Sequence, residues 1–150
     1  MKWLRHFYQP CKGMGLNGAM VSGSAEHIEL SRQAAGEGIV LLKNKDQVLP
    51  LHAGQKVVLL GKAGEEYIRG GGGSGEVSTA YTRTLFEGLK IKQKEGKLTL
   101  YDGLHDFYAA DLAEQFASGR EPGMTKEPAL SGEQLEKAAA FSDTAVVAIC

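Results

Sequence analysis

Two neighbouring features of the sequence limit what the chain can fold into: an apolar run at residues 57–60 and a glycine-rich tract at residues 70–75. The run is too short for an independent helix and contains two β-branched valines, which predicts a strand buried on both faces. Glycine tolerates positive φ and lets another group approach the backbone closely. The tract consists of Gly70, Gly71, Gly72, Gly73, Ser74 and Gly75.

The glycine-rich tract is the best candidate for a functional edge. In an open α/β sheet, ligands usually bind at the carboxyl ends of the strands, and the tract follows the predicted strand. Arg69, directly before the tract, could bind a polar ligand through the N–H donors of its guanidinium group. Two alternatives stay open: the tract is a flexible surface loop, and Arg69 pairs with Glu65, Glu66 or Glu76.

Composition excludes several classes of protein. The chain has 150 residues, of which 43% are hydrophobic and 23% charged, as in a soluble domain with a single core. With a net charge of −1, the chain has no excess of positive charge that would attract nucleic acid or an acidic membrane. Two cysteines form no disulfide framework, and the N-terminus has no apolar run typical of a secretory signal. We therefore expect no membrane partner, no nucleic acid partner and a cytoplasmic location.

The order of the apolar patterns predicts an α/β fold with a largely parallel sheet flanked by helices. We expect helices over 25–37, 83–92, 106–118 and 131–141. We expect buried strands over 39–42, 57–60 and 144–149 and a further strand over 98–101. Residues 48–51 contain Pro50 and should form an edge or crossing strand. In residues 1–23 the apolar residues have no regular spacing. This segment is interpreted as a leader or arm before a domain spanning 24–150. Because the last predicted strand has no polar linker after it, we expect the domain to be incomplete.

None of the short motifs in the sequence forms a complete catalytic or binding site. Gly61 and Lys62 are followed by Ala63, so the phosphate-binding Gly-Lys-Ser/Thr pattern is absent and nucleotide binding is disfavoured. The four histidines (His6, His27, His52 and His105) are scattered without metal-ligand spacing, and the sequence predicts neither a metal nor a cofactor. Asp102 follows a predicted strand, a position that suits a site carboxylate at the edge of the sheet, and capping of the next helix is the simpler role.

Four blocks of the sequence resemble one family when they are taken in order. They are residues 31–44, which include Gly-Ile-Val-Leu-Leu-Lys-Asn, then Val-Leu-Pro-Leu at 48–51, the strand ending at Gly61, and the glycine-serine tract at 70–75. Together they are similar to the α/β sandwich domain of glycoside hydrolase family 3, whose best-known members are β-glucosidases. Residues 21–30 resemble the rearranged bacterial members, in which this domain precedes a (β/α)8 barrel.

The resemblance implies a retaining hydrolase of O-glycosyl bonds that acts on a β-glucoside or oligosaccharide in carbohydrate metabolism. In the family the nucleophile is an aspartate of the barrel, and the acid/base glutamate follows the strand that resembles residues 144–150. No residue of this chain matches either, so the resemblance implies a chain that is inactive without its barrel. It also implies that Arg69 and the tract at 70–75 form the rim of the substrate pocket. A non-catalytic carbohydrate-binding or interaction module is the alternative.

Overall fold

The computed structural model describes residues 23–66 and 81–149. The chain divides into two compact units, residues 1–48 and 49–150, and each is described by itself. The predicted division at residues 23 and 24 stays a prediction.

In the described part of the first unit, an α-helix, α1, spans Ala25–Gly38. Ser24 begins the helix, and its hydroxyl accepts a hydrogen bond from the His27 amide at 3.3 Å. The hydrogen bond from Ser24 lowers the pKa of Glu26 in the first turn. The helix predicted over 25–37 is therefore confirmed. A short 3-10 turn follows at Lys45–Gln47.

Two of the predicted strands do not form. Residues 39–42 form no strand, and their side chains are exposed by 59% or more. Residues 48–51 also lack strand pairing within the described part of the chain. Four apolar residues in a row favour an extended backbone, but a strand also needs a neighbouring strand that accepts and donates its hydrogen bonds. Neither segment has such a neighbour among the described residues.

The second unit is built on a parallel sheet with the strand order β2-β1-β3. The strands are β1 at Gln55–Leu60, β2 at Leu98–Leu100 and β3 at Ala145–Val147. Gln55 lies opposite Leu98 on one side of β1, and Val58 lies opposite Ala145 on the other. The central strand is thus the first of the three described strands along the chain, and the predicted α/β fold with a parallel sheet is confirmed.

Among the described residues, three helices flank this sheet: α2 at Leu85–Lys94, α3 at His105–Ala117 and α4 at Gly132–Phe141. Capping boxes begin α2 at Thr84 and α4 at Ser131, where each hydroxyl accepts from a backbone amide three residues later. All three helices match the predicted ranges closely. No helix in the described ranges combines the length and apolar character that crossing a bilayer requires.

The alternation of β1 side chains places the core on both faces of the sheet. On one face, Val58 packs with Leu104 and Tyr108 of the α3 region and with Ala138 of α4. On the other face, Leu59 packs with β2 and with Phe86 and Leu89 of α2. β1 is therefore covered by helices on both sides, as its apolar run predicts.

The last strand differs from its prediction. Residues 144–149 are predicted to be buried, whereas β3 is an edge strand and Val147 is 62% exposed. The apolar run indicates the strand, but its burial depends on what lies along its outer edge. No strand pairs with that edge in the described residues.

We expect Gly61→Ala to destabilise the fold strongly. Gly61 has φ +97°, and a Cβ at this position would lie 2.1 Å from the Ala148 carbonyl oxygen. The backbone strain and the clash with rigid backbone together should lower the free energy of unfolding by at least about 3 kcal/mol.

Gly119→Ala is the matched control for this prediction. Gly119 has φ +88°, but a methyl group added there would have no other group within 4 Å, so only the conformational cost of about 1–2 kcal/mol applies. Urea unfolding of the two variants measures the difference. Equal losses of stability would contradict the close approach of Gly61 to Ala148.

Candidate functional site

The carboxyl ends of β1 and β3 border a crevice of about 560 Å³. From β1 the chain crosses to β2 on one side, and from β2 it returns to β3 on the other side. The strand order therefore reverses between β1 and β3, and such a switch point is where open α/β sheets usually bind ligands. The crevice is lined by the residues that follow β1, by the end of β3, by the loop at 125–130 and by Leu135 of α4.

Two side chains hold the turn that follows β1. The Gly61 amide donates a hydrogen bond to the Tyr108 hydroxyl oxygen at 2.9 Å. The Lys62 amide donates to Glu127 Oε2, also at 2.9 Å. Burial raises the pKa of Tyr108, and the neighbouring Glu127 carboxylate adds to the rise. The phenol therefore stays protonated and can both accept from Gly61 and donate to Glu127.

A buried polar cluster connects the same turn to the loop before α4. Lys62 Nζ lies 3.2 Å from Glu66 Oε2 and 2.8 Å from Thr125 Oγ1. The Thr125 hydroxyl donates to Glu66 Oε2, and the Gly123 amide donates to Glu66 Oε1 at 2.7 Å. The three residues that contribute side chains to the cluster (Lys62, Glu66 and Thr125) are at most 8% exposed. The cluster fixes residues 62–66 against the loop at 123–125.

The environment of Glu66 favours its ionised form. Burial alone would raise its pKa, but hydrogen bonds from Thr125, Gly123 and Lys62, together with the charge of Lys62, lower the pKa below 4.5. The cluster therefore holds Glu66 as a carboxylate that accepts these hydrogen bonds.

His105 contacts a residue of this turn, whereas Asp102 pairs with a residue of α2. His105 Nδ1 is 2.8 Å from Glu65 Oε1, and the imidazole stacks on Phe86 with ring centroids 3.9 Å apart. Asp102 pairs with Lys90 of α2 at 2.8 Å. The prediction that Asp102 caps α3 is wrong, because Leu104 is the N-cap and no side chain accepts a capping hydrogen bond there.

The predicted pocket rim, from Arg69 to Gly75, lies outside the described residues and stays a prediction. Of the three carboxylates considered as partners for Arg69, Glu65 contacts His105 and Glu66 contacts Lys62, while Glu76 lies in the undescribed part. No group of three histidine, cysteine or acidic side chains that could hold a metal ion occurs among residues 23–66 and 81–149.

The residues that fix the edge of the sheet were not predicted from the sequence. Lys62 and Glu66 have the i, i+4 spacing of an ion pair, and that spacing after a buried strand was a usable signal. Thr125, by contrast, is 63 residues from Lys62 in a loop with no pattern. Only the folded sheet brings these groups together.

We expect Glu66→Gln to lower the free energy of unfolding at pH 7 by about 3 kcal/mol, because it removes the carboxylate from a buried ion pair. Since the pKa of Glu66 is lowered on folding, its stabilisation is complete above pH 4.5 and is lost as the pH falls through the folded-state pKa. The difference in the free energy of unfolding between the variant and the wild type should therefore become smaller as the pH falls. Urea unfolding between pH 7 and pH 3 measures it.

Glu133→Gln is the control for the pH series. Glu133 pairs with Lys137 on the surface of α4, and hydrogen bonding to Lys137 lowers its pKa as well. Because both side chains are exposed, solvent screens the pair and the variant should unfold almost as the wild type does. A Glu66→Gln variant that behaves like this control would contradict the role of the buried cluster.

Comparison with known proteins gives a consistent result. Residues 39–150 match the family model described as the glycosyl hydrolase family 3 C-terminal domain. The chain is 48% identical over 148 residues to beta-glucosidase A of Butyrivibrio fibrisolvens, which covers 99% of this chain and 18% of that protein. It is 36% identical over 78 residues to a probable beta-glucosidase I of Aspergillus fumigatus, covering 52% of this chain and 9% of the relative.

Two solved structures have the same fold over most of the chain. A beta-glucosidase from Paenibacillus barengoltzii aligns with a TM-score of 0.67 and 34% identity, covering 79% of this chain and 13% of that one. Beta-glucosidase 3B from Thermotoga neapolitana, solved in complex with α-D-glucose, aligns with a TM-score of 0.70 and 28% identity, covering 88% and 19%. The chain spans less than a fifth of the length of these relatives. It belongs to glycoside hydrolase family 3, and residues 39–150 correspond to the C-terminal domain of that family.

Proposed function

We propose that the chain is part of a retaining glycoside hydrolase of the β-glucosidase type, which cleaves O-glycosyl bonds in carbohydrate metabolism. The observation that carries this proposal is the 48% identity to beta-glucosidase A over 99% of the chain. The crevice at the switch point of the sheet supports it, because a sugar site at the carboxyl edge fits the usual placement of ligands in open α/β sheets. A cytoplasmic location, supported by the low cysteine content, belongs to the same proposal.

The chain contributes shape to the site, and the rest of the enzyme contributes the catalytic groups. Retaining hydrolysis requires two carboxyl groups about 5–5.5 Å apart, one of them free to attack the sugar. At the described edge of the sheet, Glu65, Glu66 and Glu127 are each held by neighbouring groups. The resemblance to the family assigns the nucleophile to the (β/α)8 barrel and the acid/base to a loop that follows the strand at 144–149, so in this proposal the chain alone is inactive.

Arg69 and the tract at 70–75 form the rim of the sugar pocket in this proposal. The support is their proximity in sequence to residues 61–66, which are fixed beside the crevice. Four residues of chain reach at most about 14 Å, which limits the distance from Glu66 to Gly70. Backbone amides of glycine and the Ser74 hydroxyl can donate to sugar hydroxyls, and Arg69 can hold a polar group of the substrate.

A chimeric enzyme tests the proposal. We expect beta-glucosidase A of B. fibrisolvens to stay active on p-nitrophenyl β-D-glucoside when this chain replaces the matching 148 residues. Its kcat/KM should fall by no more than about tenfold, or about 1.4 kcal/mol of transition-state stabilisation, because nearly half of the residues are unchanged. A folded chimera inactive on glucoside, xyloside and N-acetylglucosaminide would contradict the hydrolase proposal.

The same chimera tests the rim separately. Arg69→Ala should lower kcat/KM by at least about tenfold, since an arginine that binds substrate contributes more than about 1.4 kcal/mol. Arg120→Ala is the control, because Arg120 is exposed and its guanidinium group donates to the Met124 carbonyl at 3.4 Å. If the chimera is active and Arg69→Ala leaves its kcat/KM unchanged, the assignment of Arg69 to the pocket rim is contradicted. The hydrolase proposal is not affected by that result.

A further inference from the structure

A histidine and a carboxylate are in contact where the turn after β1 meets the start of α3. His105 Nδ1 lies 2.8 Å from Glu65 Oε1, although the two residues are 40 positions apart in the chain. The Glu65 side chain is 11% exposed, whereas that of His105 is 36% exposed. The carboxylate is therefore mostly shielded from water, and the imidazole can still exchange protons with the solvent.

Packing holds both partners of this contact in a defined position. The imidazole stacks on the Phe86 ring of α2, with 3.9 Å between the centroids and 3° between the planes. His105 is also the first residue of α3, so the helix fixes its backbone. On the other side, the Glu65 amide donates to the Lys62 carbonyl at 2.9 Å within the turn. The contact thus joins the end of β1 to the start of α3.

The chemistry of the pair determines which ring nitrogen carries the proton. An ionised carboxylate can only accept hydrogen bonds, so Nδ1 of His105 must be the donor to Glu65. When the imidazole is neutral, its single N–H is therefore on Nδ1, and Nε2 keeps its lone pair. A second proton can bind only at Nε2. Its uptake turns a hydrogen bond from a neutral ring into an ion pair in the same geometry.

The other charged or titratable side chains around His105 ordinarily change their charge at other pH values. Carboxyl groups titrate near about pH 4, and phenols and amines near about pH 10, whereas histidine titrates near about pH 6.5. In the described structure these side chains are Lys62 and Glu66 of the turn, Lys90 of α2 (its Nζ lies 6.0 Å from the centre of the Phe86 ring), Tyr101 and Asp102 after β2, and Asp106 and Tyr108 of α3.

We propose that Glu65 and His105 form a pH-sensitive latch on the turn that follows β1. At pH 8 the neutral imidazole donates one hydrogen bond to the carboxylate, and at pH 5.5 the protonated ring forms an ion pair with it. The additional stabilisation is present in mild acid and is lost as the pH rises through the range in which histidine releases its proton. Mild acid therefore holds the carboxyl end of β1 more strongly against α3. The latch does not rest on the proposed hydrolase activity.

NMR of the ring nitrogens tests the position of the proton. In the intact 150-residue chain with nitrogen-15-labelled histidine, the His105 signals are those that disappear in the His105→Asn variant. They should show a proton on Nδ1 alone at pH 8 and on both ring nitrogens at pH 5.5. A proton on Nε2 at pH 8, or a ring that stays neutral at pH 5.5, would overturn the proposal.

Urea unfolding tests the ion pair. Glu65→Gln keeps an oxygen that can accept from Nδ1 but removes the charge. The factor by which this variant raises the equilibrium constant of unfolding should be at least about threefold larger at pH 5.5 than at pH 8, because charge-assisted hydrogen bonds are roughly twice as strong as neutral ones. In the His105→Asn background the factor should be the same at both pH values, because asparagine keeps a donor that does not titrate.

Glu133→Gln is the control for the effect of pH itself. Its partner Lys137 keeps its charge at both pH values, since the hydrogen bond to Glu133 raises the pKa of that ammonium group further. The factor for Glu133→Gln should therefore be the same at pH 5.5 and pH 8. The proposal is overturned if the factor for Glu65→Gln is also unchanged, or if its pH dependence persists in the His105→Asn background.

Discussion

The close approach of Gly61 to the Ala148 carbonyl sets the geometry of the carboxyl edge of the sheet. β1 and β3 run side by side until this point, and no side chain fits between the two backbones. Beyond it the chain turns away from the sheet with a positive φ that glycine adopts without strain. The crevice between β1 and β3 begins where this contact ends, so the candidate site depends on the absence of one Cβ atom.

Different forces build the sheet and fix its edge. Burial of Val57, Val58 and Leu59 between two helical layers supplies a non-directional driving force that grows with the apolar area removed from water. The turn after β1 is held instead by directional contacts, from Tyr108, Glu127 and the cluster around Lys62. A buried ion pair adds little net stability because of its desolvation cost, but removing one partner is costly. These contacts therefore select one geometry for residues 61–66.

The fold was predictable where local signals agreed with the tertiary structure. The apolar patterns of β1, α1 and α4 carry their information within a few residues, and these elements form as predicted. The segment at 39–42 and the exposure of β3 depend on neighbouring strands, which local patterns do not encode. The contact between Lys62 and Thr125 joins residues 63 positions apart, so only the folded topology reveals it. The resemblance to glycoside hydrolase family 3 is confirmed by the family match, whereas the rim from Arg69 to Gly75 stays a prediction.

Native-state hydrogen exchange of the 150-residue chain tests most directly whether the turn after β1 is fixed as strongly as the core. The Val58 amide donates to the Thr144 carbonyl inside the sheet, while the Gly61 and Lys62 amides donate to Tyr108 and Glu127 outside it. We predict that all three amides exchange only by global unfolding and give the same free energy of opening. Exchange of Gly61 and Lys62 at the rate of an exposed loop, with Val58 still protected, would contradict a preformed edge.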